Sequence, residues 1–133
     1  MPQPADSITI LVYSDNPRTR DKVRSALGKR VHPDLPELTY LDVATGPMVV
    51  KTIDEGGIDL AILDGEATPV GGMGLAKQLK DEVDAPPPIL VLTGRPDDAW
   101  LASWSRAEAA VPHPIDTIRL GEAVSSLLRA KVR

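Results

Sequence analysis

Ile58-Asp59-Leu60-Ala61-Ile62-Leu63-Asp64 is the stretch on which the fold turns. From Ile58 to Leu63 it is apolar except for Asp59, and it ends on an acid. A run this short and this apolar reads as a strand covered on both faces, which is the habit of parallel sheets. The same character returns at Ile8–Tyr13 (ITILVY) and at Ile89–Leu92 (ILVL). Further strands are expected near Leu38–Ala44 and, more briefly, at Ala109–Val111, which runs into Pro112-His113-Pro114.

Helical signals fill the gaps between these runs. Asn16 can cap a helix, Pro17 suits its first position, and Val23, Ala26 and Leu27 form its apolar stripe up to a stop at Gly28. Gly46-Pro47 opens a short helix with Val49, Val50 and Ile53 on one side and Gly56-Gly57 at its end. Leu75, Ala76, Leu79 and Val83 mark another, and Pro86-Pro87-Pro88 prevents its continuation. A helix from Pro96 to about Ala107 carries Trp100 and Trp104 at i, i+4. A last one from about Asp116 is expected to bury Leu120, Val124, Leu127 and Leu128. Strand and helix thus alternate five times, which predicts an α/β fold: a doubly wound, five-stranded parallel sheet with helices on both faces.

Composition agrees with this architecture. The 133 residues make one domain, expected over 7–130 with a short leader at 1–6 and a tail at 131–133. Apolar residues are 42% of the chain, yet Phe is absent and the aromatics are Tyr13, Tyr40, Trp100 and Trp104, so the core must be built from Val, Ile, Leu and Ala. The absence of Cys excludes disulfides, thiolate catalysis and Cys-based zinc sites. The net charge of −4 and the lack of a basic stripe argue against nucleic acid as a partner. The basic tail Arg129-Ala130-Lys131-Val132-Arg133 reads as favourable charge at a helix C-terminus. The start Met1-Pro2-Gln3-Pro4-Ala5-Asp6 has no signal-peptide pattern and no apolar run is long enough to span a bilayer, so a cytoplasmic protein with no membrane partner is expected.

In an open α/β sheet the site lies beyond the carboxyl ends of the strands, where strand order switches. The residues that end the strands are Ser14 and Asp15, then Asp64, Thr93 and His113. A strand-end Asp also caps turns, and singly Asp15 or Asp64 could be only that. Together they suggest more. Carboxylates held close repel unless a cation neutralises them, and Mg²⁺ accepts one or two carboxylates, waters and a phosphate oxygen.

Taken in order, ILVYSDNP, DLAILD, ILVLTG and VPHPID resemble the landmarks of a response-regulator receiver domain of bacterial two-component signalling. The resemblance runs from Ile8 to Leu128. It implies a flavodoxin-like sheet and a phosphorelay role rather than an enzyme. It implies Asp64 as phosphoryl acceptor, Asp15 as Mg²⁺ ligand, the Glu66 main-chain carbonyl as a further ligand beside Asp64, and Thr93 as the hydroxyl that meets the phosphoryl oxygens. His113-Pro114 stands where receivers carry Lys-Pro. The implied partners are a histidine kinase or phosphotransfer protein and a downstream protein, docked through the predicted helix before the fifth strand, that strand and the last helix.

The chain departs from the family pattern in four places. Ser14 replaces the first acid of the metal-binding pair. His113 replaces lysine, a shorter and near-neutral group at pH 7. The proline after the acceptor falls at the fifth position, Pro69, and Gly71, Gly72 and Gly74 follow, which predicts a mobile loop and a late helix start, with the Glu66 side chain turned to solvent. Ala110 occupies the place of the usual aromatic switch residue. Two expectations result: an atypical stand-alone receiver phosphorylated on Asp64 with Mg²⁺, or a pseudo-receiver module that docks without phosphorylation. A Mg²⁺-dependent hydrolase with an Asp nucleophile is set aside because no substrate-binding cap is present. Gly71-Gly72-Met73-Gly74 lacks the spacing of nucleotide-binding loops.

Overall fold

A computed structural model describes residues 7–67, 71–94 and 105–131. Five parallel strands form one sheet in the order β2-β1-β3-β4-β5. They are β1 (Ser7–Tyr13), β2 (Glu37–Val43), β3 (Leu60–Asp64), β4 (Ile89–Thr93) and β5 (Ala109–Pro112). The helices are α1 (Pro17–Leu27), α2 (Gly46–Glu55), α3 (Gly72–Glu82) and α4 (Thr117–Lys131). The expected helix from Pro96, with Trp100 and Trp104, lies outside the described residues, as do Pro69, the leader 1–6 and the tail beyond Lys131. No helix among the described residues is long and apolar enough to cross a membrane.

Alternation along the strands divides the core. Ile8, Ile10 and Val12 of β1, Leu60 and Ile62 of β3, and Leu90 and Leu92 of β4 pack with Val23 and Leu27 of α1 and with Leu120, Val124 and Leu128 of α4. Leu11 and Tyr13, Ala61 and Leu63, and Ile89 and Val91 pack on the other face with Val49 and Ile53 of α2 and with Leu75, Ala76 and Leu79 of α3. Every residue of β3 and β4 is buried, as strands between two helical layers must be. Leu127, expected in the core, is only partly buried beside it.

Local chemistry explains the boundaries. The Asn16 side chain accepts from Arg18 N at the start of α1, and Gly28, at φ +65°, closes the helix. β3 begins two residues later than its apolar run, because Asp59 is used as an anchor. Its main-chain N–H donates to Thr9 O at 2.9 Å and its carboxylate accepts from Thr9 N at 2.9 Å.

The glycines after Asp64 serve close packing rather than a loosened helix start. α3 begins at Gly72 itself, and a Cβ there would stand 2.8 Å from the main-chain carbons of Leu63 and Asp64. A Cβ at Gly65 would lie 2.6 Å from Leu92 O. Gly72 lets α3 approach the β3 end backbone to backbone, and Gly65 lets the chain leaving β3 lie against the β4 main chain.

Candidate functional site

Strand order switches between β1 and β3, whose neighbours are β2 and β4. Register across this switch pairs Tyr13 with Leu63, so Ser14 and Asp64 emerge level with each other. Both follow the parity of Val12 and Ile62, and their side chains therefore leave on one face. The Ser14 hydroxyl donates to Asp64 Oδ2 at 2.7 Å and accepts from Asn16 N at 3.0 Å. Ser14 is fully buried and Asp64 is 3% exposed.

The other oxygen of Asp64 is also engaged. Glu66 N donates to Oδ1 at 2.9 Å, an Asx-type turn that the sequence places two residues past the strand end. His113 Nε2 lies 3.1 Å from the same oxygen. A carboxylate only accepts, so Nε2 carries the proton of this contact. His113 reaches the site because β5 pairs with β4 at Thr93 and Pro112, and His113 N donates to Thr93 O at 2.8 Å. The His113-Pro114 peptide is cis.

The expected residues are thus brought together unequally. Asp64 and His113 are in direct contact. Thr93 is buried at the end of the adjacent strand, out of phase with Leu92, and is joined to the site through its main chain. Asp15 is exposed beyond Ser14, near enough that its charge, after burial and together with that of Asp64, raises the phenol of Tyr13 above its ordinary range. Glu66 is exposed, but its carboxylate does not simply face solvent. It lies against Gly94, where a Cβ would stand 2.6 Å from its Cδ and Oε1 atoms.

Arg20 belongs to the site's setting, and no motif marks it in the sequence. Arg20 Nη1 donates to Ser14 O at 2.5 Å, while Arg20 Nε sits 3.7 Å from Asp42 Oδ2, so a cation from α1 braces the β1 end. The only hint was its place one turn into a helix that starts beside the strand end. Ser14 reads in the sequence as the loss of an acid. Its gain, a hydroxyl proton aimed at Asp64, depends on register that no local pattern displays.

A cleft of about 630 Å³ opens beside His113, lined by Arg18, Thr19, Lys22 and Gly94 among others. A larger hollow of about 760 Å³ lies along α4 with His32 and Arg129; neither lining includes Asp64, and only the smaller one includes His113. Among the described residues, the wall of the cleft beside His113 has two cationic side chains, Arg18 and Lys22, and no acid, which suits an anionic group.

Whether Mg²⁺ suits this donor set is a question of chemistry. Asp64 is met by three hydrogens, from Ser14, Glu66 and His113. The second carboxylate, Asp15, is exposed, and among the described residues no three His, Cys, Asp or Glu side chains group to hold a metal. The arrangement fits a resident divalent cation poorly.

A parallel sheet of this order with an acid at the end of its central strand is the plan of a receiver domain, and solved structures bear that out. A Francisella response-regulator receiver domain superposes with a TM-score of 0.76 at 15% identity, covering 93% of this chain and 98% of that one. A Thermotoga maritima response regulator in complex with Mg²⁺-BeF superposes at 0.73 with 26% identity, over 91% of this chain and 99% of that one. No protein-family model matches the chain. Response regulatory proteins of two Mycobacterium tuberculosis strains, CDC 1551 and H37Rv, are 73% identical over 130 residues, 98% of this chain and 98% of theirs. The chain belongs to the response-regulator family, as a receiver domain of two-component signalling.

Proposed function

We propose that the receiver takes a phosphoryl group on Asp64 and passes the change to a protein partner. The observation that carries this reading is the contact of His113 Nε2 with Asp64 Oδ1, 3.1 Å across the strand ends. It places a hydrogen-bond donor from the β5 end against the acceptor, as charge must be met when a phosphoryl group arrives. A carboxylate oxygen of Asp64 attacks phosphorus. The bond from phosphorus to the donor breaks, its electrons leave with the donor, and an acyl phosphate forms. Glu66 N–H, the Ser14 hydroxyl and His113 Nε2–H are positioned around the carboxylate that receives it, and Thr93 supplies the hydroxyl of the neighbouring strand. The open cleft with Arg18 and Lys22 admits the donor, a phosphohistidine of a kinase or phosphotransfer protein.

Incubation with a small phosphodonor followed by intact mass measurement tests this directly. Wild type is expected to gain one acid-labile phosphoryl group and Asp64→Asn none. A wild type that gains nothing, or a variant that gains as much, removes the proposal.

A second reading, docking without phosphorylation, is favoured by one observation. Both oxygens of Asp64 already hold hydrogen-bond partners, so the pocket is complete as it stands. Equal partner binding by wild type and Asp64→Asn would support it.

A further inference from the structure

We infer that Ser14 frees the acceptor site from dependence on a divalent cation, with hydrogen bonds from Ser14, Glu66 and His113 stabilising the Asp64 carboxylate instead. The inference deepens the phosphorylation reading and rests on it for the chemical step alone.

The direction of the Ser14 proton is fixed by its two partners. Asn16 N–H can only donate, so it occupies a lone pair of the Ser14 oxygen at 3.0 Å. The carboxylate of Asp64 can only accept, so the Ser14 hydroxyl hydrogen points at Oδ2, 2.7 Å away. Hydrogen bonds to a carboxylate that is nine-tenths or more buried are short, charge-assisted and costly to lose. With Glu66 N and His113 Nε2 on Oδ1, three hydrogens address the two oxygens. Three of the carboxylate's four lone-pair sites are thereby used, so a cation competes with hydrogen bonds for most of the coordination Asp64 offers.

The comparison with an acid at position 14 shows why this residue decides the matter. A carboxylate there would stand at hydrogen-bond distance from Asp64, with no proton to share. Two like charges so placed require either a raised pKa or a cation between them. The hydroxyl turns that repulsion into an attraction. The remaining acid, Asp15, is exposed, so a cation beside Asp64 would have one solvated carboxylate to add to it rather than a buried pair. During transfer, the donors that hold the carboxylate also face the incoming phosphoryl group, and no step needs a metal.

Direct binding and phosphorylation test this separately. Calorimetric titration with Mn²⁺ as probe should show no saturable site in wild type at millimolar metal. Ser14→Asp should bind about tenfold more tightly or better, and Ser14→Asn, with the same shape and no charge, should stay like wild type. Wild type binding Mn²⁺ as tightly as Ser14→Asp overturns the inference. If Ser14→Asp fails to fold without metal, wild type decides alone: phosphorylation by a phosphoramidate should run at the same rate in EDTA and in Mg²⁺. Abolition by EDTA with saturable rescue by Mg²⁺ overturns the inference and leaves phosphorylation standing. No phosphorylation in either buffer removes the proposed function, and the Mn²⁺ titration then still settles the role of Ser14.

Discussion

Ser14 and Asp64 meet through register and parity, and the sequence, which marks both as site residues, does not show that they touch. That the chain ends β1 on a hydroxyl was visible. That the hydroxyl donates to Asp64 was not, because a proton's direction depends on Asn16 N–H and Asp64 together. Removing the hydroxyl leaves a buried carboxylate oxygen short of a donor. Ser14→Ala is therefore expected to lower stability by about 1–3 kcal/mol in urea denaturation at neutral pH. Tyr40 offers a second check at this scale. Burial outweighs the nearby Arg24 guanidinium and pushes its phenol up to about 12, and its hydroxyl donates to Gly28 O. The folded form thus holds the proton more tightly than the unfolded chain. The contribution is whole below the ordinary tyrosine value of 10.0 and is lost as pH rises toward about 12. Stability followed by circular dichroism should fall across that window, and less steeply in Tyr40→Phe.

At the scale of elements, the strands and caps were the legible part. β-branched runs, Asn16-Pro17 and the stops at Gly28 and Gly56 declared themselves locally. The glycines after Asp64 did not, since one residue type serves both loose loops and tight contacts. Gly72 and Gly74 separate the two uses within α3. A Cβ at Gly72 meets the β3 backbone at 2.8 Å, whereas at Gly74 it meets nothing within 4 Å. Gly72→Ala should destabilise by about 1–3 kcal/mol through displacement of the helix. Gly74→Ala should stabilise by about 0.5–1 kcal/mol by restricting the unfolded chain. Thermal unfolding of the pair gives opposite signs if α3 sits as described. Asp81 near the end of the same helix is held below the usual carboxylate range, first by its hydrogen bond with Lys77 and also by Arg106. Its stabilising effect is present above the ordinary aspartate value and disappears as pH falls through the lowered one. Asp81→Asn should flatten the acid limb of the stability profile.

For the whole molecule, the fold class followed from the alternation of strands and helices, but strand order did not. Apolar runs show which segments are covered on both faces and are silent about neighbours. The sheet joins two cores, one under α1 and α4 and one under α2 and α3, and every residue of β3 and β4 is buried between them. A shared sheet makes the two halves one cooperative unit. Leu90→Ala on the first face and Leu79→Ala on the second should each cost about 2–5 kcal/mol. Each should shift a single transition in which fluorescence and circular dichroism coincide; separate transitions for the two faces would show the halves to be independent.

The pocket is assembled from three distant pieces of chain: Ser14 lies 50 residues from Asp64, and Asp64 lies 49 from His113. A polypeptide still leaving the ribosome with His113 inside the exit tunnel has Asp64 but no pocket around it. The finished site therefore arrives late in synthesis and at once, and a truncated or half-made copy does not have it.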